Sequence, residues 1–310
     1  MAAQAIVTGG AGFIGSHLVD ALLAEGYGVT VIDDLSSGEE RRVAEGAQLH
    51  ELDIVDRSAV TAVVEALQPQ AVFHLAAQAS VVVSVENPGR DCEVNVQGTL
   101  NVVDAANKRG VPVVFTSTGG ALYGDEAPRP TGEGQIPQPL SPYGASKLAG
   151  ESYVGTWSRA EGVPNAVCRL GNVYGPRQSP HGEAGVVSIF THRLHTGQAP
   201  KLFGHGQPTR DYVYVGDVVS ALLAAAGKAG TFNIATGVET DVMTVWSELR
   251  KVAGSDLEPE LAELRPGELK RSCLDAGLAE RELAWRAQVP IAEGLQKTYE
   301  ALVKEFERAE

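Results

Sequence analysis

The chain has 310 residues, of which 44% are hydrophobic and 21% are charged, a length that suits one large α/β unit or two lobes sharing a core. This composition excludes disordered and fibrous classes. The net charge of −14 argues against nucleic acid and anionic membrane surfaces as partners, because an acidic protein repels both.

Short Val- and Ile-rich runs alternate with longer amphipathic stretches in the first half of the chain. This alternation is typical of βαβ units that build a parallel sheet. The predicted strands cover residues 3–8, 29–32, 48–52, 71–75, 113–117 and 166–170, and the predicted helices between them cover 12–25, 58–67, 93–109 and 143–160. The sequence therefore predicts an α/β protein with a Rossmann-type doubly wound parallel sheet.

The pattern changes after residue 172. Gly, Pro and Gln cluster at 175–182 and at 204–208, which indicates loops of a smaller second lobe. Farther along the chain we predict further elements, namely a helix at 215–226, a strand at 231–234 and helices at 242–252, 277–285 and 291–307. In open α/β sheets ligands bind outside the carboxyl ends of the strands, so the residues after each strand are the candidates for chemistry.

A glycine-rich turn follows the first predicted strand. The residues TGGAGFIGS at 8–16 fit G-x-x-G-x-x-G and lead directly into an apolar-periodic helix. Glycines there let the backbone approach a pyrophosphate, and the helix N-terminus supplies free N–H groups. The second strand ends in Asp33 and Asp34, where a carboxylate binds ribose hydroxyls and repels a ribose phosphate. These features predict NAD rather than NADP, although Arg41 and Arg42 nearby keep NADP open.

Two further strand ends belong to the same predicted groove. Asp53 and Ile54 follow the third strand, where the carboxylate suits the adenine amine and the isoleucine suits the ring. A carboxylate at a helix entry explains Asp53 equally well. Leu75, Ala76 and Ala77 follow the fourth strand, and such small residues leave room for the cofactor backbone.

The fifth predicted strand ends in hydroxyl side chains that face the start of the next helix. Ser117 and Thr118 occupy this strand end, and Tyr143 and Lys147 lie four residues apart on one helical face. A nearby ammonium lowers the pKa of a tyrosine from near 10 toward working pH, so Tyr143 can act as a general base. Without the upstream glycine turn this pair would be a packed aromatic beside a solvated lysine.

Eight short motifs along nearly the whole chain carry a resemblance to a known family. They are TGGAGFIGS at 8–16, DDLSSG at 33–38, HLAAQ at 74–78, STGGALYG at 117–124, YGASK at 143–147, RLGN at 169–172, RDY at 210–212 and RPGE at 265–268. The sequence resembles the extended short-chain dehydrogenase/reductase family, and most closely its UDP-galactose 4-epimerase-like branch. Together the motifs specify the family better than they specify the sugar.

This resemblance implies roles for the matching residues. Tyr143 is the implied base, Lys147 tunes it and binds the nicotinamide ribose, and Thr118 is the hydroxyl partner at a position where the galactose epimerases commonly have serine. The implied cofactor-binding residues are Gly9, Gly12, Phe13, Ile14, Gly15, Asp33, Asp34, Ser36, Gly38, Asp53, Ile54, Leu75, Ala76, Ala77, Ser117, Tyr143 and Lys147. The implied substrate-binding residues are Asn95, Thr118, Asn172, Phe203, Arg210, Arg265, Glu268 and Ser272.

Within the substrate set, Asn172, Arg210, Arg265 and Glu268 are expected to hold the nucleotide. The arginines would neutralise its diphosphate, and the glutamate would accept hydrogen bonds from ribose hydroxyls. Phe203 is the aromatic expected to stack on uracil. Asn95 is expected near the catalytic tyrosine.

One position bears on the choice of sugar. Ser272 is the seventh residue after the nucleotide-binding arginine, where a bulky aromatic restricts entry of an N-acetyl group in this branch. The small serine therefore adds UDP-GlcNAc and UDP-GalNAc as plausible substrates beside UDP-glucose and UDP-galactose. Lys270 and Arg271 keep UDP-glucuronate open, because a cation there could pair with a C6 carboxylate.

The predicted activity is that of an NAD-dependent nucleotide-sugar 4-epimerase, which interconverts UDP-glucose and UDP-galactose by transient oxidation at C4. The enzyme alternatives are a UDP-glucuronate 4-epimerase and a 4,6-dehydratase, but a dehydratase is expected to carry Asp-Glu where Gly119 and Gly120 stand. A non-enzyme alternative is an NAD-sensing or scaffold member of the family. Such a protein is expected to lose Tyr143 or Lys147, and both are present.

The expected domains follow from the motifs and the change of pattern. We expect an NAD-binding domain at 1–173, to which 211–235 returns, and a sugar-nucleotide lobe formed by 174–210 and 236–310. The resemblance implies a homodimer that packs the helices carrying Leu100, Val103 and Leu148 against their symmetry mates.

No targeting or metal signal emerges from the remaining residues. The sequence shows no signal-peptide pattern and no apolar run of membrane-spanning length, and its three widely spaced cysteines argue against disulfides and zinc, so we expect a cytoplasmic protein. His192 and His195 lack an evident third ligand and are interpreted as a solvated helix face. His74 lies in an apolar strand and is interpreted as a hydrogen-bonded core histidine.

Overall fold

A computed structural model of the chain describes residues 2–181, 185–265 and 269–309. Its strands are β1 (Gln4–Thr8), β2 (Gly28–Asp33), β3 (Ala47–Glu51), β4 (Ala71–His74), β5 (Val113–Thr118), β6 (Ala166–Leu170), β7 (Asn172–Tyr174), β8 (Lys201–Phe203), β9 (Thr209–Tyr214), β10 (Gly230–Ile234), β11 (Glu239–Asp241) and β12 (Glu260–Ala262). Its helices are α1 (Phe13–Ala24), α2 (Arg57–Leu67), α3 (Val81–Glu86), α4 (Pro88–Cys92), α5 (Thr99–Asn107), α6 (Pro142–Glu161), α7 (Val186–His195), α8 (Val215–Ala225), α9 (Val242–Ala253), α10 (Gly277–Leu283) and α11 (Ile291–Ala309).

Seven strands form the main sheet in the order β10-β6-β5-β4-β1-β2-β3, and every neighbouring pair is parallel. The chain order reverses between β1 and β4, so a crevice opens at the carboxyl ends of these two strands. The predicted doubly wound Rossmann-type sheet is therefore confirmed. All six strands predicted in the first half of the chain are present, within one or two residues of their predicted bounds.

Helices cover both faces of this sheet because strand side chains alternate between two cores. Ile6 packs into the core formed with α2, α5 and α6, whereas the next residue, Val7, packs into the core formed with α1, α8 and α10. Both side chains are fully buried. This two-sided burial explains why β1 is a continuous apolar run rather than an alternating one.

A smaller lobe contains the remaining strands. β7 pairs parallel with β9, β9 pairs antiparallel with β11, and β8 pairs parallel with β12. Its core contains Phe190 from α7, Trp246 from α9 and Leu295 from α11, and the Phe190 and Trp246 rings lie 5.5 Å apart. The chain returns to the main sheet through α8 and β10, which pairs with β6.

Two predicted helices have different bounds in the structure. Helical backbone begins at Pro88 and passes through a π-helical turn, Glu93–Gly98, before it continues as α5, whereas the prediction began at 93. The helix predicted to end at 285 ends at Leu283, because Ala284 adopts a left-handed φ of 51°. Within the described ranges, none of the helices is both long enough and apolar enough to cross a bilayer.

Candidate active site

The glycine-rich turn between β1 and α1 forms a narrow backbone cradle. Gly9 has φ +73°, and a Cβ built there would lie 2.6 Å from the Ala76 nitrogen. A Cβ on Gly15 would lie 2.0 Å from the Gly9 oxygen. Gly12 precedes the first helical residue, Phe13, and no side chain caps this helix N-terminus. The turn therefore combines close backbone approach with free N–H groups, which fits the pyrophosphate of a dinucleotide.

The two carboxylates at the end of β2 are separated by the fold. Asp33 is buried, and its carboxylate accepts hydrogen bonds from the Ala11 nitrogen at 2.9 Å and the Leu35 nitrogen at 3.0 Å. Burial raises the pKa of Asp33, and these bonds oppose that shift. Asp34 is exposed and accepts from the Ser36 nitrogen and hydroxyl. Only Asp33 is therefore joined to the glycine turn.

The arginines that kept NADP open are already ion-paired. Arg41 and Arg42 both pair with Glu39, and both reach Glu305 on α11. A ribose phosphate would have to compete with these carboxylates. The geometry therefore favours NAD over NADP.

The other predicted cofactor residues border the crevice with different contacts. The Asp53 carboxylate accepts from the Val55 nitrogen and pairs with Arg90 at 2.9 Å, so its adenine role stays a prediction. Ile54 is buried. The end of β4 is tied to β1, because Leu75 and Ala76 donate to Thr8 through their backbone N–H groups. Ala77, the next residue, is half-buried. Gly38 lies against Asp33, because a Cβ added to Gly38 would lie 2.8 Å from the Asp33 Oδ1.

Tyr143, Lys147 and Thr118 are brought together at the end of β5. Ser141 caps α6 by accepting a hydrogen bond from the Gly144 nitrogen, which fixes Tyr143 and Lys147 in the first two turns. Tyr143 is hydrogen-bonded to the Thr118 side chain. Lys147 is buried, and its Nζ lies 4.7 Å from the centroid of the Phe115 ring.

Burial dominates the proton affinities of this group in the ligand-free protein. It raises the pKa of Tyr143 to about 12, the charge of Asp91 adds to this shift, and the bond with Thr118 opposes it. It lowers the pKa of Lys147 to about 8, against the charges of Glu151 and Asp91. The expected tyrosine pKa near working pH is therefore wrong for the ligand-free state, because desolvation of the phenolate and the charge of Asp91 outweigh the hydrogen bond with Thr118. Lys147 still carries its proton at neutral pH.

Four further residues predicted to bind the cofactor or the substrate have defined surroundings. The Asn172 Oδ1 would lie 3.3 Å from a Cβ on Gly120, two residues after the end of β5. The Ser117 hydroxyl is buried without a hydrogen-bond partner, as a ligand-facing group would be. Phe203 and Arg265 are stacked, with the guanidinium carbon 3.8 Å from the ring centroid.

Two further substrate candidates, Arg210 and Ser272, lie at β9. Arg210 is in β9, where its Nη1 donates to the Thr209 oxygen. The Ser272 nitrogen donates to the same Thr209 oxygen. Glu268 lies outside the described residues. Arg271, the cation considered for a uronate, pairs through two nitrogens with Glu239.

Asn95 is not placed as a substrate ligand. It is buried, and its Nδ2 donates to the Gln78 oxygen, the Asp91 carboxylate and the Ser146 hydroxyl at 2.9–3.1 Å. Its Oδ1 accepts from the Gln78 nitrogen. With both ends of the amide occupied, Asn95 supports α6 from beneath instead of reaching the cleft.

His74 is a core histidine, as interpreted from the sequence. The Thr99 hydroxyl donates its proton to the Asn95 backbone oxygen, so it can only accept a hydrogen bond from His74 Nε2. The protonated nitrogen of the ring is therefore Nε2, and Nδ1 accepts a hydrogen bond from the Thr8 hydroxyl at 2.7 Å. Burial lowers the pKa of His74 to about 3, and Lys147 adds to this shift. The imidazole is therefore neutral and fully hydrogen-bonded.

A glycine cradle beside half-buried Tyr143 and buried Lys147 is thus present, and the sequence also matches a known family. Residues 5–235 match the model of the NAD dependent epimerase/dehydratase family. The chain belongs to this family. It is 46% identical over 306 residues to the UDP-glucose 4-epimerase of Mycolicibacterium smegmatis, which covers 96% of this chain and 97% of that protein.

Two solved structures are similar over nearly the whole chain. The crystal structure of a Thermotoga maritima UDP-glucose 4-epimerase with UDP-glucose has a TM-score of 0.95 and 45% identity, and the match covers 98% of this chain and 99% of that one. A Thermus thermophilus UDP-glucose 4-epimerase in complex with NAD has a TM-score of 0.89 and 42% identity, with 96% and 98% covered.

The sequence analysis missed a buried polar network behind α6. Glu151 on α6 pairs with Arg169 on β6 at 2.6 Å, and Arg169 also donates to the Tyr123 hydroxyl. Asp91 is buried beside Asn95. Glu151 lies four residues after Lys147, a spacing that places both on one face of the helix and that the sequence shows. The local sequence does not reveal, however, whether such charged residues are buried or lie on a solvated helix face.

The glycine turn provides a matched pair of substitutions. Gly9→Ala is expected to weaken NAD binding about tenfold or more, equal to about 1.4 kcal/mol, because its Cβ would collide with the Ala76 backbone. Gly110→Ala is the control, since Gly110 has a similar φ of +70° with nothing within 4 Å of an added Cβ. NAD titration and thermal unfolding of both variants test this prediction. Equal NAD affinities in the two variants would contradict the cradle.

Proposed function

We propose that the chain is a UDP-glucose 4-epimerase that interconverts UDP-glucose and UDP-galactose. The observation that carries the proposal is the group of half-buried Tyr143, half-buried Thr118 and buried Lys147 at the strand end beside the glycine cradle. NAD held in this cradle would supply the hydride acceptor for oxidation of the sugar C4 and the hydride donor for reduction of the keto sugar from its opposite face.

The residues of the chain supply the acid–base part of this reaction. Tyr143 takes the proton of the sugar O4 and returns it to the same oxygen after the keto sugar has turned over in the cleft. The Thr118 side chain, which is hydrogen-bonded to Tyr143, forms a second hydrogen bond with the sugar O4 hydroxyl. The ammonium of Lys147 stabilises the phenolate form of Tyr143, which counteracts the burial that disfavours it.

A 4,6-dehydratase fits this strand end poorly. Its additional acid–base side chains would replace Gly119 and Gly120. A Cβ on Gly119 would lie 2.2 Å from Leu274 Cδ1, and one on Gly120 would lie 3.3 Å from Asn172 Oδ1. The site therefore has little space for two extra carboxylates.

The uronate and scaffold alternatives have less support. Arg271 is paired with Glu239, so a C6 carboxylate would have to displace an existing partner. A scaffold protein has no need for a buried lysine beside Tyr143, since burying a lysine costs free energy. We propose in addition the nucleotide roles of Asn172, Phe203, Arg210, Arg265 and Glu268.

The division of the chain into two domains is also a proposal. We propose the NAD-binding domain at 1–173 with 211–235, and the sugar-nucleotide lobe at 174–210 and 236–310. Support comes from β10, which pairs in the main sheet, and from the separate core of the smaller lobe. The homodimer and the cytoplasmic location stay predictions.

The decisive experiment incubates the NAD-loaded protein separately with UDP-glucose and with UDP-galactose, without added reductant, and resolves the nucleotides. We expect both reactions to reach the same mixture of the two sugars. A product that has lost water would favour the dehydratase alternative. Failure to convert either sugar, together with activity on UDP-glucuronate, would favour the uronate alternative.

Ser272 provides a test of sugar size. Its backbone is fixed by the bond to Thr209, beside Gly119 and Tyr123 in a small cleft at the catalytic strand end. Ser272→Tyr is expected to reduce turnover of UDP-N-acetyl sugars about tenfold or more relative to UDP-galactose, because the larger side chain fills that cleft. Comparison of kcat/KM on both sugar classes tests this, and an unchanged ratio would show that Ser272 is not the gate.

A further inference from the structure

A buried carboxyl group that the proposed reaction does not use lies beneath the catalytic helix. Asp91 belongs to α4 and has only 1% of its surface exposed. Its Oδ1 accepts from the Gln78 Nε2 at 2.9 Å and from the Asn95 Nδ2 at 3.0 Å. Both donors are neutral amides. Within the described residues, no lysine or arginine lies within ion-pair distance of this carboxylate.

Hydrogen bonds connect Asp91 to the catalytic pair. The same Asn95 amide donates to the Ser146 hydroxyl at 3.1 Å, and that hydroxyl donates to the Tyr143 backbone oxygen at 3.0 Å. Ser146 also directly precedes Lys147 in α6. Asp91 is therefore held in a fixed position relative to the α6 backbone that carries both proposed catalytic side chains.

The other charged groups around this pair are neutralised or exposed. Glu151 on α6 is paired with Arg169 from β6. Arg90, next to Asp91, pairs with Asp53 and Glu93 on the outer side of α4.

The remaining titratable groups nearby also leave Asp91 unbalanced. His74 from β4 is neutral, because burial lowers its pKa to about 3. Glu86 at the end of α3 is exposed. Among the described groups around this pair, Asp91 is thus a buried carboxylate without a cationic partner of its own, and a charge acts strongly in such a poorly solvated site. It raises the pKa of both Tyr143 and Lys147.

We propose that Asp91 is a positioning residue that sets the charge of the Tyr143–Lys147 pair. Its carboxylate keeps Lys147 as an ammonium group and retains the transferred proton on Tyr143 until that proton returns to the sugar. An epimerase needs this retention because the proton taken from O4 must be given back within the same turnover. The inference rests on the proposed function, and it adds a residue that never touches the substrate.

Asp91→Asn tests the charge with little change in contacts, because an asparagine Oδ1 can still accept from Gln78 and Asn95. We expect both limbs of the kcat/KM profile against pH to move to lower pH by about 0.5 unit or more, which lowers activity on the alkaline limb about threefold. Glu86→Gln is the control. It removes the same charge from an exposed site nearby, where water screens it, and its limbs are expected to coincide with those of the wild type.

If the acid and alkaline limbs of the kcat/KM profile lie at the same pH in Asp91→Asn as in the wild type, the inference is overturned, even if the maximal kcat/KM falls. A purely structural role would lower activity at every pH without moving the limbs. If thermal unfolding shows that Asp91→Asn does not fold, the same pH profile is measured on Asp91→Ser, which also removes the charge and retains an oxygen acceptor.

A second readout does not require turnover. The phenolate absorbance of Tyr143 in the NAD-loaded protein, obtained by subtracting the titration of Tyr143→Phe, should appear at lower pH in Asp91→Asn. A wild type that converts no sugar would overturn the proposed function. An unmoved phenolate titration would overturn only the role of Asp91.

Discussion

Tyr143→Phe is expected to lower kcat by about 10²–10⁴-fold, the usual contribution of a general base. The variant loses the phenol that exchanges a proton with the sugar O4, and it loses the bond to Thr118. It retains the ring that packs at the start of α6. NAD binding and the unfolding temperature should therefore remain close to those of the wild type. Initial rates with UDP-galactose, measured alongside NAD titration, check both parts.

The control for this variant is Tyr153→Phe, on the same helix. Tyr153 is 39% exposed and stacks edge-on against Trp157, away from the strand ends. We expect it to keep full activity. Full activity in Tyr143→Phe as well would mean that another group is the base.

Acid should destabilise the protein through His74. Its pKa is about 3 in the folded protein, against about 6.5 when unfolded. Between these values the unfolded chain binds more protons, so stability is fully present above pH 6.5 and is lost as the pH falls toward 3. The loss amounts to about 1.4 kcal/mol for each pH unit in this window.

His74→Gln isolates this contribution. Its amide nitrogen can still donate to Thr99, but it does not titrate. Urea unfolding at several pH values between 6.5 and 4.5 should give a shallower fall of the free energy of unfolding in the variant than in the wild type. Parallel curves would show that His74 does not bind its proton in this window.

Much of the fold and the site follows from local sequence patterns. Apolar runs separated by amphipathic helices predict the strands and helices of the main sheet and its parallel, doubly wound class, because the period of hydrophobic residues reflects which faces are buried. The glycine turn at 8–16 and the spacing of Tyr143 and Lys147 are likewise local. Backbone conformation and helical geometry fix these features within a few residues, so they could be identified without any long-range contact.

Other features were decided only by tertiary structure. Asp33 and Asp34 are adjacent in the sequence, yet only Asp33 bonds to the glycine turn. The amide of Asn95 supports α6 because Gln78, Asp91 and Ser146 surround it.

The same holds for the electrostatics of the site. The sequence places Lys147 near Tyr143, but burial sets the pKa of each, and burial depends on every element packed around them. Arg271 pairs with Glu239, a partner 32 residues away in the chain. Local patterns thus determine which groups meet at the strand ends, whereas the desolvation and long-range partners that decide their charge exist only in the folded protein.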